Sequence, residues 1–450
     1  MNRLLHNFCD NLAGFAMSCL PPVLRRAAQG AMPQLDKPLS KSFVFKLAQS
    51  KEELEACFRL LYTEYVKAKL MKPDSSGMRI ILHHALPTTS TLICKYRNHI
   101  IGTVSLIREN KFGFPMQKAF NLDEVLKKNG NVAEVLSLAI DSRFRSSKNK
   151  IMIPLLKFLY EYAEYRFDTR YLVIAVNPRH ISFYEDVLCF RRLRNSKVNH
   201  YSLVNGAPAI GAYLDLEEAK ETFFQKYAQL PLNQNLYHYF TAAPLPNGYF
   251  PHRRFHTTTD PVMTPELIDY FFNKKTKLFS KLNSHEIDLL HAIYNLPEYQ
   301  HCLPPQAKGT PASEPEQTRI HRRFPVRCPA RLRLGQPGVS DGIALTVYEC
   351  SEKVFCAHAE YPLMVGLSGE ADIDLGESEH CTLAVEIVRL SKHHNRAVMF
   401  HIRESVGTQN RLWLKFVRAL SKAHIATDLE EATRFYDTLM VAENEAQDSA

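Results

Sequence analysis

The chain has 450 residues, a length that predicts two or three domains rather than a single core. Hydrophobic residues make up 45% of it and charged residues 23%, which is typical of a globular protein. The net charge of +9 favours acidic partners such as phosphate ligands, anionic lipid or an acidic carrier protein. The basic residues are scattered in short groups, which argues against a nucleic-acid partner.

The first 40 residues are predicted to form an amphipathic helix and a lead-in. Leu4, Phe8, Leu12 and Phe15 recur at helical spacing, and Pro21 ends the pattern. Such a helix could lie on the surface of the inner membrane as a peripheral contact, or dock on the protein itself. Both alternatives remain open at this point.

The cysteines and the apolar segments exclude several classes of protein. The ten cysteines form no CxxC pair, and no Cys/His group has the spacing of zinc ligands, so no metal site is expected. No segment approaches the roughly 20 apolar residues of a membrane span, and no signal peptide is evident. We therefore expect reduced thiols in a cytoplasmic protein.

Residues 41–240 alternate between strand and helix patterns. Ser50 is a plausible N-cap for the first helix, and Asn205-Gly206 is a strong signal for a tight turn between two strands. This alternation predicts an α/β (α+β) domain around one mixed sheet. The predicted strands lie at 43–47, 90–96, 100–107, 132–141, 171–177, 201–204 and 210–216, and the predicted helices begin at residue 50, at about 150 and after Pro178.

After residue 240 the sequence pattern changes from helical to proline-rich and then to short strands. Residues 241–300 are predicted to be a helical extension, with a helix start at Thr264-Pro265-Glu266. Residues 301–320 are rich in proline and predict a flexible linker. Residues 321–425 read as short strands with turns, a small β domain that ends in a helix at 412–423. Residues 426–450 are predicted to form a helix at 428–440 and a tail.

The strongest chemical signal is a strand that leads through a basic loop into a helix. The strand at 132–141 carries Glu134 near its start. The first N–H groups of a helix are unpaired and lie at the positive end of its dipole, so this junction favours an anionic phosphate. A carboxylate beside it could take a proton. The pattern indicates group transfer from a phosphate-bearing donor, and the basic residues of the loop are Arg143, Arg145, Lys148 and Lys150.

This arrangement resembles the GNAT fold of the Gcn5-related N-acyltransferases. In that resemblance the strands at 132–141 and 171–177 splay apart and hold the pantetheine arm of the acyl donor. The family's pyrophosphate loop carries glycines, whereas residues 145–150 contain none. A loop with charged side chains suits the single phosphate of a carrier-bound phosphopantetheine and the acidic face of an acyl carrier protein.

A closer resemblance is to the long-chain N-acyl amino acid synthases, relatives of the acyl-homoserine-lactone synthases, over residues 43–240. It implies a bacterial enzyme that moves a long acyl group from acyl carrier protein, or from CoA, to the amine of an amino acid, with no tightly bound cofactor. The matching segments, in the family's order, are Gly102-Thr103-Val104-Ser105-Leu106, Phe112-Gly113-Phe114-Pro115-Met116, the strand around Glu134, Asn177-Pro178-Arg179-His180 with Phe183-Tyr184, and Val204-Asn205-Gly206-Ala207-Pro208-Ala209.

The resemblance implies roles for two residues. Glu134 matches the strand carboxylate that acts as base or binds the amine. Its alternative role is structural, as the partner of Arg143 or Arg145 in an ion pair. Tyr184 lies where GNAT enzymes often place a tyrosine that protonates the leaving thiolate; its alternative is an aromatic core anchor. The usual Tyr-x-x-x-Gly-Phe spacing is broken, because Cys189-Phe190 comes one residue later and lacks the glycine.

The pocket for the amino acid is not specified by any motif. Arg59 and Arg79 are both able to pair with a substrate carboxylate, because a guanidinium binds a carboxylate through two parallel hydrogen bonds. Spacing alone does not distinguish between them.

The C-terminal strands resemble the PilZ domain, a small barrel that binds cyclic di-GMP. Two arginines in an Arg-x-x-x-Arg pattern clamp phosphate and stack on guanine there. In the second motif Ser351 matches, but a glutamate and a valine replace the shorter acid and the glycine. The domain is predicted either to bind cyclic di-GMP or to keep the fold for docking. Its candidate ligand-binding residues are Arg322, Arg323, Arg327 and Ser351.

Two alternatives to a long-chain N-acyl amino acid synthase remain. One is an acetyl-CoA-dependent GNAT acetyltransferase, which the glycine-free loop argues against. The other is a non-catalytic cyclic di-GMP receptor, which the presence of Glu134 and the altered motif around Ser351 argue against.

Overall fold

The computed structural model describes most of the chain between residues 40 and 421. It describes residues 40–128, 130–243, 245–251, 262–294, 297–306, 324–334, 342–377, 379–390, 397–403, 408–421 and 432–434, together with residues 35, 253, 255–257 and 260. The predicted N-terminal helix lies outside these residues, as does most of the predicted linker. No helix in the described ranges is both long and apolar enough to cross a membrane.

Fifteen strands and nine α-helices form the described part of the chain. The strands are β1 (Phe43–Leu47), β2 (Thr89–Tyr96), β3 (His99–Arg108), β4 (Asn131–Ile140), β5 (Thr169–Val176), β6 (Arg191–Tyr201), β7 (Ala207–Asp215), β8 (Tyr249–Pro251), β9 (Phe324–Leu334), β10 (Ile343–Cys350), β11 (Val354–Ala359), β12 (Ser368–Gly376), β13 (Glu379–Leu390), β14 (Ala397–Ile402) and β15 (Ala432–Arg434). The helices are α1 (Lys51–Lys67), α2 (Asp123–Leu126), α3 (Lys148–Phe167), α4 (Ile181–Asp186), α5 (Leu216–Tyr227), α6 (Leu236–Thr241), α7 (Pro265–Ile268), α8 (Ser284–Ile293) and α9 (Thr408–Ser421).

The N-terminal half is a seven-stranded mixed sheet in the order β1-β2-β3-β4-β5-β7-β6. Only β4 and β5 are parallel, and the other neighbours are antiparallel. The helix α3 connects the parallel pair, as a crossover of this kind requires. The prediction of an α/β mixed sheet flanked by helices is confirmed.

The sheet opens between β4 and β5, and this gap positions the site. Residues Asn131 to Val135 of β4 pair with β5, and the pairing stops there. Two residues later Ser137 has a left-handed backbone with φ of 56°, where the register between β3 and β4 also shifts. An extra residue at such a bulge bends the strand. The far end of β4 therefore leans away from β5.

Local signals account for the ends of several elements. The Ser50 hydroxyl accepts a hydrogen bond from the Glu53 N–H and caps α1 as predicted. Asn205 and Gly206 both have positive φ, as a tight turn between β6 and β7 requires. The preceding segment differs from the prediction, because residues 202–204 form a 3₁₀ turn rather than part of the strand. The turn ends where Asn205 enters the left-handed region.

A closed six-stranded barrel forms the C-terminal half, in the order β10-β11-β14-β13-β12-β9. The helix α9 buries Trp413, Phe416 and Val417 against it, and the Trp413 indole donates to the carbonyl of Ser351. The predicted small β-barrel with a following helix is confirmed. Closure removes the free edges that a small sheet would otherwise expose.

The region between sheet and barrel is less helical than predicted. It contains α7, a π-helical turn at Asp269–Lys275 and α8, but also the strand β8. β8 pairs with β15, which lies inside the segment predicted to be a helix at 428–440, so that prediction is wrong at residues 432–434. A short edge strand offers unpaired backbone groups, and pairing with them outweighs weak helix propensity.

Candidate functional site

A cavity of about 770 Å³ passes through the gap between β4 and β5. Its walls come from both faces of the sheet, because they include Leu159 and Ile174 from the core under α3 and Tyr201 and Ala209 from the core on the opposite face. Arg79 and Glu134 both act electrostatically on Tyr201, and the part of the cavity at these three side chains is called its polar end. Most of the lining is apolar. The apolar walls include Met152, Leu156, Leu159, Leu172, Leu188, Leu214, Leu216, Ala219, Phe223 and Phe240.

Glu134 lies in the wall of this cavity with only 1% of its surface exposed. Its carboxylate accepts one backbone hydrogen bond, from the Met116 N–H at 3.0 Å. Burial disfavours the charged form and raises the pKa of Glu134 to about 8, although the Met116 hydrogen bond works in the opposite direction. A carboxyl with this pKa can exchange a proton with a substrate near neutral pH.

Arg143 does not pair with Glu134. Its guanidinium binds Asp141, with Nη2 at 2.6 Å from Oδ2, and 79% of its side chain is exposed. The alternative interpretation of Glu134 as the ion-pair partner of Arg143 is therefore wrong. Side chains of residues 145–150 lie outside the described part of the structure, so pairing with Arg145 stays untested.

Tyr184 lies in the same cavity wall, on α4. Its ring contacts Phe183 and Phe190 edge to face, at centroid distances of 5.4 and 5.6 Å. Burial raises the pKa of Tyr184 to about 12, so the phenol keeps its proton at neutral pH and remains able to donate it. Tyr184 can therefore pack against the core and still donate its proton.

Cys189 takes the place of the glycine that is usual before the phenylalanine. It has φ of 60°, the left-handed backbone that glycine adopts without strain. The backbone of this turn keeps the geometry that the missing glycine would favour.

The basic loop leads from β4 into the first turn of α3. Residues Ser142–Ser147 form a 3₁₀ turn, and α3 begins at Lys148. The Ser142 N–H donates to the Glu64 carboxylate at 3.1 Å, which ties the loop to α1. Arg145 thus lies between the end of β4 and the start of α3, and Lys148 and Lys150 lie in the first turn of α3. Later residues of this helix, Met152 and Leu156, line the cavity.

Two residues of the cavity wall, Tyr65 and Tyr201, had no role assigned from the sequence, whereas Arg79 was one of two candidates for binding a substrate carboxylate. The Arg79 guanidinium packs on the ring of Tyr65 at 4.1 Å, and its Nη2 donates to the Leu203 carbonyl at 2.8 Å. Tyr201 completes this polar end. Arg59 is not among the lining residues and binds Glu55 instead. An arginine inside the apolar run at 78–82 was the available signal for Arg79.

Two of the four candidate residues of the barrel, Arg327 and Ser351, lie in the described structure. Arg327 binds Asp168 of the sheet half at 3.1 Å, and its N–H donates to the His256 carbonyl at 2.9 Å. Ser351 is fully buried, and its hydroxyl donates to the Val354 carbonyl at 3.0 Å. Arg322 and Arg323 lie outside the described residues. Among the described side chains, no group of three His, Cys, Asp or Glu residues could hold a metal ion.

Comparisons with known proteins place the sheet half in context. The family model described as N-acyl amino acid synthase FeeM matches residues 56–215, about a third of the chain. No curated protein matches the sequence.

Three solved structures are similar to parts of the chain. FeeM, an N-acyl amino acid synthase from uncultured soil microbes, is 23% identical over 41% of this chain and 96% of its own, with a TM-score of 0.35. The CoA-dependent acyl-homoserine lactone synthase BjaI is 14% identical over 41% of this chain and 89% of its own, with a TM-score of 0.32. The PilZ domain of CeSA from a cellulose-synthesizing bacterium is 15% identical over 22% of this chain and 98% of its own, with a TM-score of 0.19. Residues 56–215 are therefore similar to the N-acyl amino acid synthase family, and the solved structures share the fold.

Proposed function

We propose that the protein transfers a long-chain acyl group from a phosphopantetheine thioester to the amine of an amino acid. The observation that carries this proposal is a cavity with Glu134 at its polar end and an extended apolar remainder. Pockets of roughly 300–1,000 Å³ hold ligands of the size of a long acyl chain. An acetyl group would leave most of these apolar walls without contact, which favours a long-chain donor over acetyl-CoA.

The chemistry requires one proton acceptor and one proton donor. The amine nitrogen attacks the thioester carbonyl carbon, a C–N bond forms, and Glu134 takes the proton that the nitrogen loses. The C–S bond then breaks, and Tyr184 gives its proton to the leaving thiolate. Proton exchange with solvent returns both side chains to their starting states. The products are an amide and a free thiol.

We propose acyl carrier protein as the physiological donor. The support is a loop at the start of α3 that carries Arg145, Lys148 and Lys150 and has no glycine. Basic side chains attract an acidic carrier protein over distances of about 10 Å at moderate salt. A CoA pyrophosphate would instead favour a bare backbone that approaches the phosphates closely.

Reversing the charges of this loop tests the choice of donor. In the variant with Arg145, Lys148 and Lys150 all changed to Glu, we expect KM for acyl carrier protein to rise by about 10- to 100-fold at low salt, because association loses its steering. The KM for the same acyl group on free pantetheine should change far less. Initial rates with both donors measure this.

A matched variant reverses three exposed lysines elsewhere, Lys111, Lys277 and Lys281. It should leave both KM values unchanged within about twofold, since exposed charges contribute little by themselves. Equal losses with carrier and pantetheine in the loop variant would mean that the loop meets only the pantetheine arm. No loss with either donor would remove the loop from the site.

Regulation through the barrel and location in the cell are further parts of the proposal. Support for cyclic di-GMP binding comes from Arg323 and Arg327, which stand four residues apart in the sequence, and from the position of Arg327 in β9 of the closed barrel. We also expect a cytoplasmic protein, with peripheral contact to the inner membrane through the segment that contains Leu4 and Phe8.

Single substitutions in the full chain test cyclic di-GMP binding. Arg323→Ala and Arg327→Ala should each weaken binding in calorimetry by about 10-fold or more, because each removes charge-assisted hydrogen bonds to phosphate. Arg333→Ala, at an exposed position of β9, serves as the control and should bind normally. If the unsubstituted chain shows no heat of binding at high micromolar ligand, the barrel is not a sensor for this nucleotide.

A further inference from the structure

Two buried polar groups of the cavity lining have no hydrogen-bond partner among the residues that the structure describes. One is the Nε of Arg79, a residue with 8% of its surface exposed. The other is the hydroxyl of Tyr201, a residue with 3% exposed. Both residues line the cavity that contains Glu134. Leaving such groups without a partner is costly, and a polar ligand that enters this cavity would satisfy both of them.

The guanidinium of Arg79 is held in place before any ligand arrives. One side of it is fixed by the hydrogen bond to the Leu203 carbonyl, and one face is fixed by the ring of Tyr65. The Nε–H therefore keeps a constant direction at little entropic cost. A fixed, buried cationic donor favours an anionic oxygen ligand, and a carboxylate matches a guanidinium best.

Tyr201 lies within electrostatic reach of both charged groups. The negative charge of Glu134 raises the pKa of Tyr201, and the positive charge of Arg79 lowers it, while burial dominates and raises it. The phenol therefore remains protonated and can donate. Glu134, Arg79 and Tyr201 thus form one polar group of side chains, with a carboxyl for an amino group at Glu134 and a site for a negative charge at Arg79.

We propose that Arg79 and Tyr201 bind the α-carboxylate of the acyl acceptor. One carboxylate oxygen accepts from the Arg79 Nε–H and the other from the Tyr201 hydroxyl, which leaves the α-amino group beside Glu134. A free α-amino acid carries its amino group and its carboxylate on one carbon and fits this pair of sites. The acceptor class is therefore a free α-amino acid and not a simple amine, ester or lactone. This inference rests on the proposed function.

The test compares acceptors with and without a carboxylate. Each of the twenty common amino acids and its α-carboxamide is offered to the full chain with a long-chain acyl thioester, and the best acid is used afterwards. Arg79→Gln should raise KM for the acid by about 10- to 100-fold, the loss expected for a hydrogen bond to a charged group. The KM for the carboxamide should stay within about threefold of the original value.

Two further variants separate binding from folding. Arg59→Gln removes an arginine that lies outside the cavity, and it should leave KM for the acid unchanged. Tyr201→Phe should raise KM for the acid by about 3- to 10-fold. Its melting temperature should be equal to or above that of the original chain, because it removes a hydroxyl that has no partner among the described residues. A tyrosine with a structural role would lose stability instead.

Three outcomes overturn the inference. In the first, Arg79→Gln folds and keeps its KM for the acid; in the second, it loses acid and carboxamide equally; in the third, Tyr201→Phe loses stability without a change in KM. A different result would contradict the proposed function itself: the unsubstituted chain would acylate none of the forty acceptors. Transfer to acids and carboxamides alike would support the proposed function and exclude carboxylate recognition.

Discussion

Changing Glu134 to Gln should lower kcat for amide formation by about 10²- to 10⁴-fold, the usual contribution of a positioned general base. The amide side chain has nearly the same shape and keeps an oxygen that can accept the Met116 N–H, as the carboxylate does at 3.0 Å. It cannot take a proton from the attacking amine. The fold and the affinity for the acyl donor should therefore persist. Initial rates and donor binding on the purified variant measure both effects.

The pH dependence gives a second readout of the same residue. Since the pKa of Glu134 is raised to about 8, most of the carboxyl is protonated at pH 7 and cannot act as a base. The kcat/KM of the original chain should rise about tenfold per pH unit below 8 and level off above it, because kcat/KM reports the pKa of the free enzyme. The residual activity of Glu134→Gln should lack this rise.

The free energy of unfolding should fall as the pH rises, whereas the activity should increase. A carboxyl whose pKa is raised by folding stabilises the native state while it is protonated, and this contribution is lost as the pH rises from the unfolded value near 4.5 through the folded value of about 8. The original chain should therefore lose stability over this range. Glu134→Gln should lose less, because its side chain stays neutral, and thermal melting at pH 6 and pH 9 compares the two.

Glu109→Gln is the matched control. Glu109 also has a raised pKa from burial, and its carboxylate accepts the Val132 N–H at 3.4 Å, but it is not among the residues that line the cavity. Its activity should stay within about twofold of the original. If Glu134→Gln retained normal turnover, or if Glu109→Gln lost as much, the assignment of Glu134 as the base would be wrong.

Local sequence signals predicted most of the sheet, because those elements depend on near neighbours. Ser50 caps α1 through the Glu53 N–H, three residues away, and Asn205-Gly206 turns the chain with two positive φ angles. The alternation of apolar residues also located β4 and β5. Capping and turn geometry involve only a few residues, so they can be read from a short window of sequence.

The polar end of the cavity could not be predicted in the same way. Arg79 is fixed by the Leu203 carbonyl, a residue 124 positions later in the chain. The raised pKa of Glu134 comes from burial, which no local pattern reveals. The pairing of β8 with β15 likewise joins distant segments, and the helical pattern at 428–440 gave no sign of it. In each case the local sequence was compatible with more than one structure, and contacts between segments far apart in the chain determined which one formed.

A tryptophan at Ala219 should convert a long-chain enzyme into one that prefers short acyl groups. Ala219 lies on α5, far along the chain from Glu134, and lines the apolar part of the cavity with Phe223 and Phe240. A larger side chain there would fill space that we assign to the end of the acyl chain. Each methylene kept out of apolar surroundings costs about 0.8 kcal/mol, so excluding four of them costs about 3 kcal/mol, or on the order of 100-fold in kcat/KM.

The measurement is kcat/KM over a series of acyl carrier thioesters of increasing chain length, with the same amino acid acceptor throughout. Glu221→Trp introduces the same side chain on the exposed face of α5 and should leave the whole series unchanged. For Ala219→Trp we expect the shortest donors to react at nearly the original rate and the longest to lose about 100-fold, because only the long chains reach α5. A uniform loss across the series would indicate damage to the fold, and an unchanged series would show that the acyl chain follows another path and that this cavity holds something else.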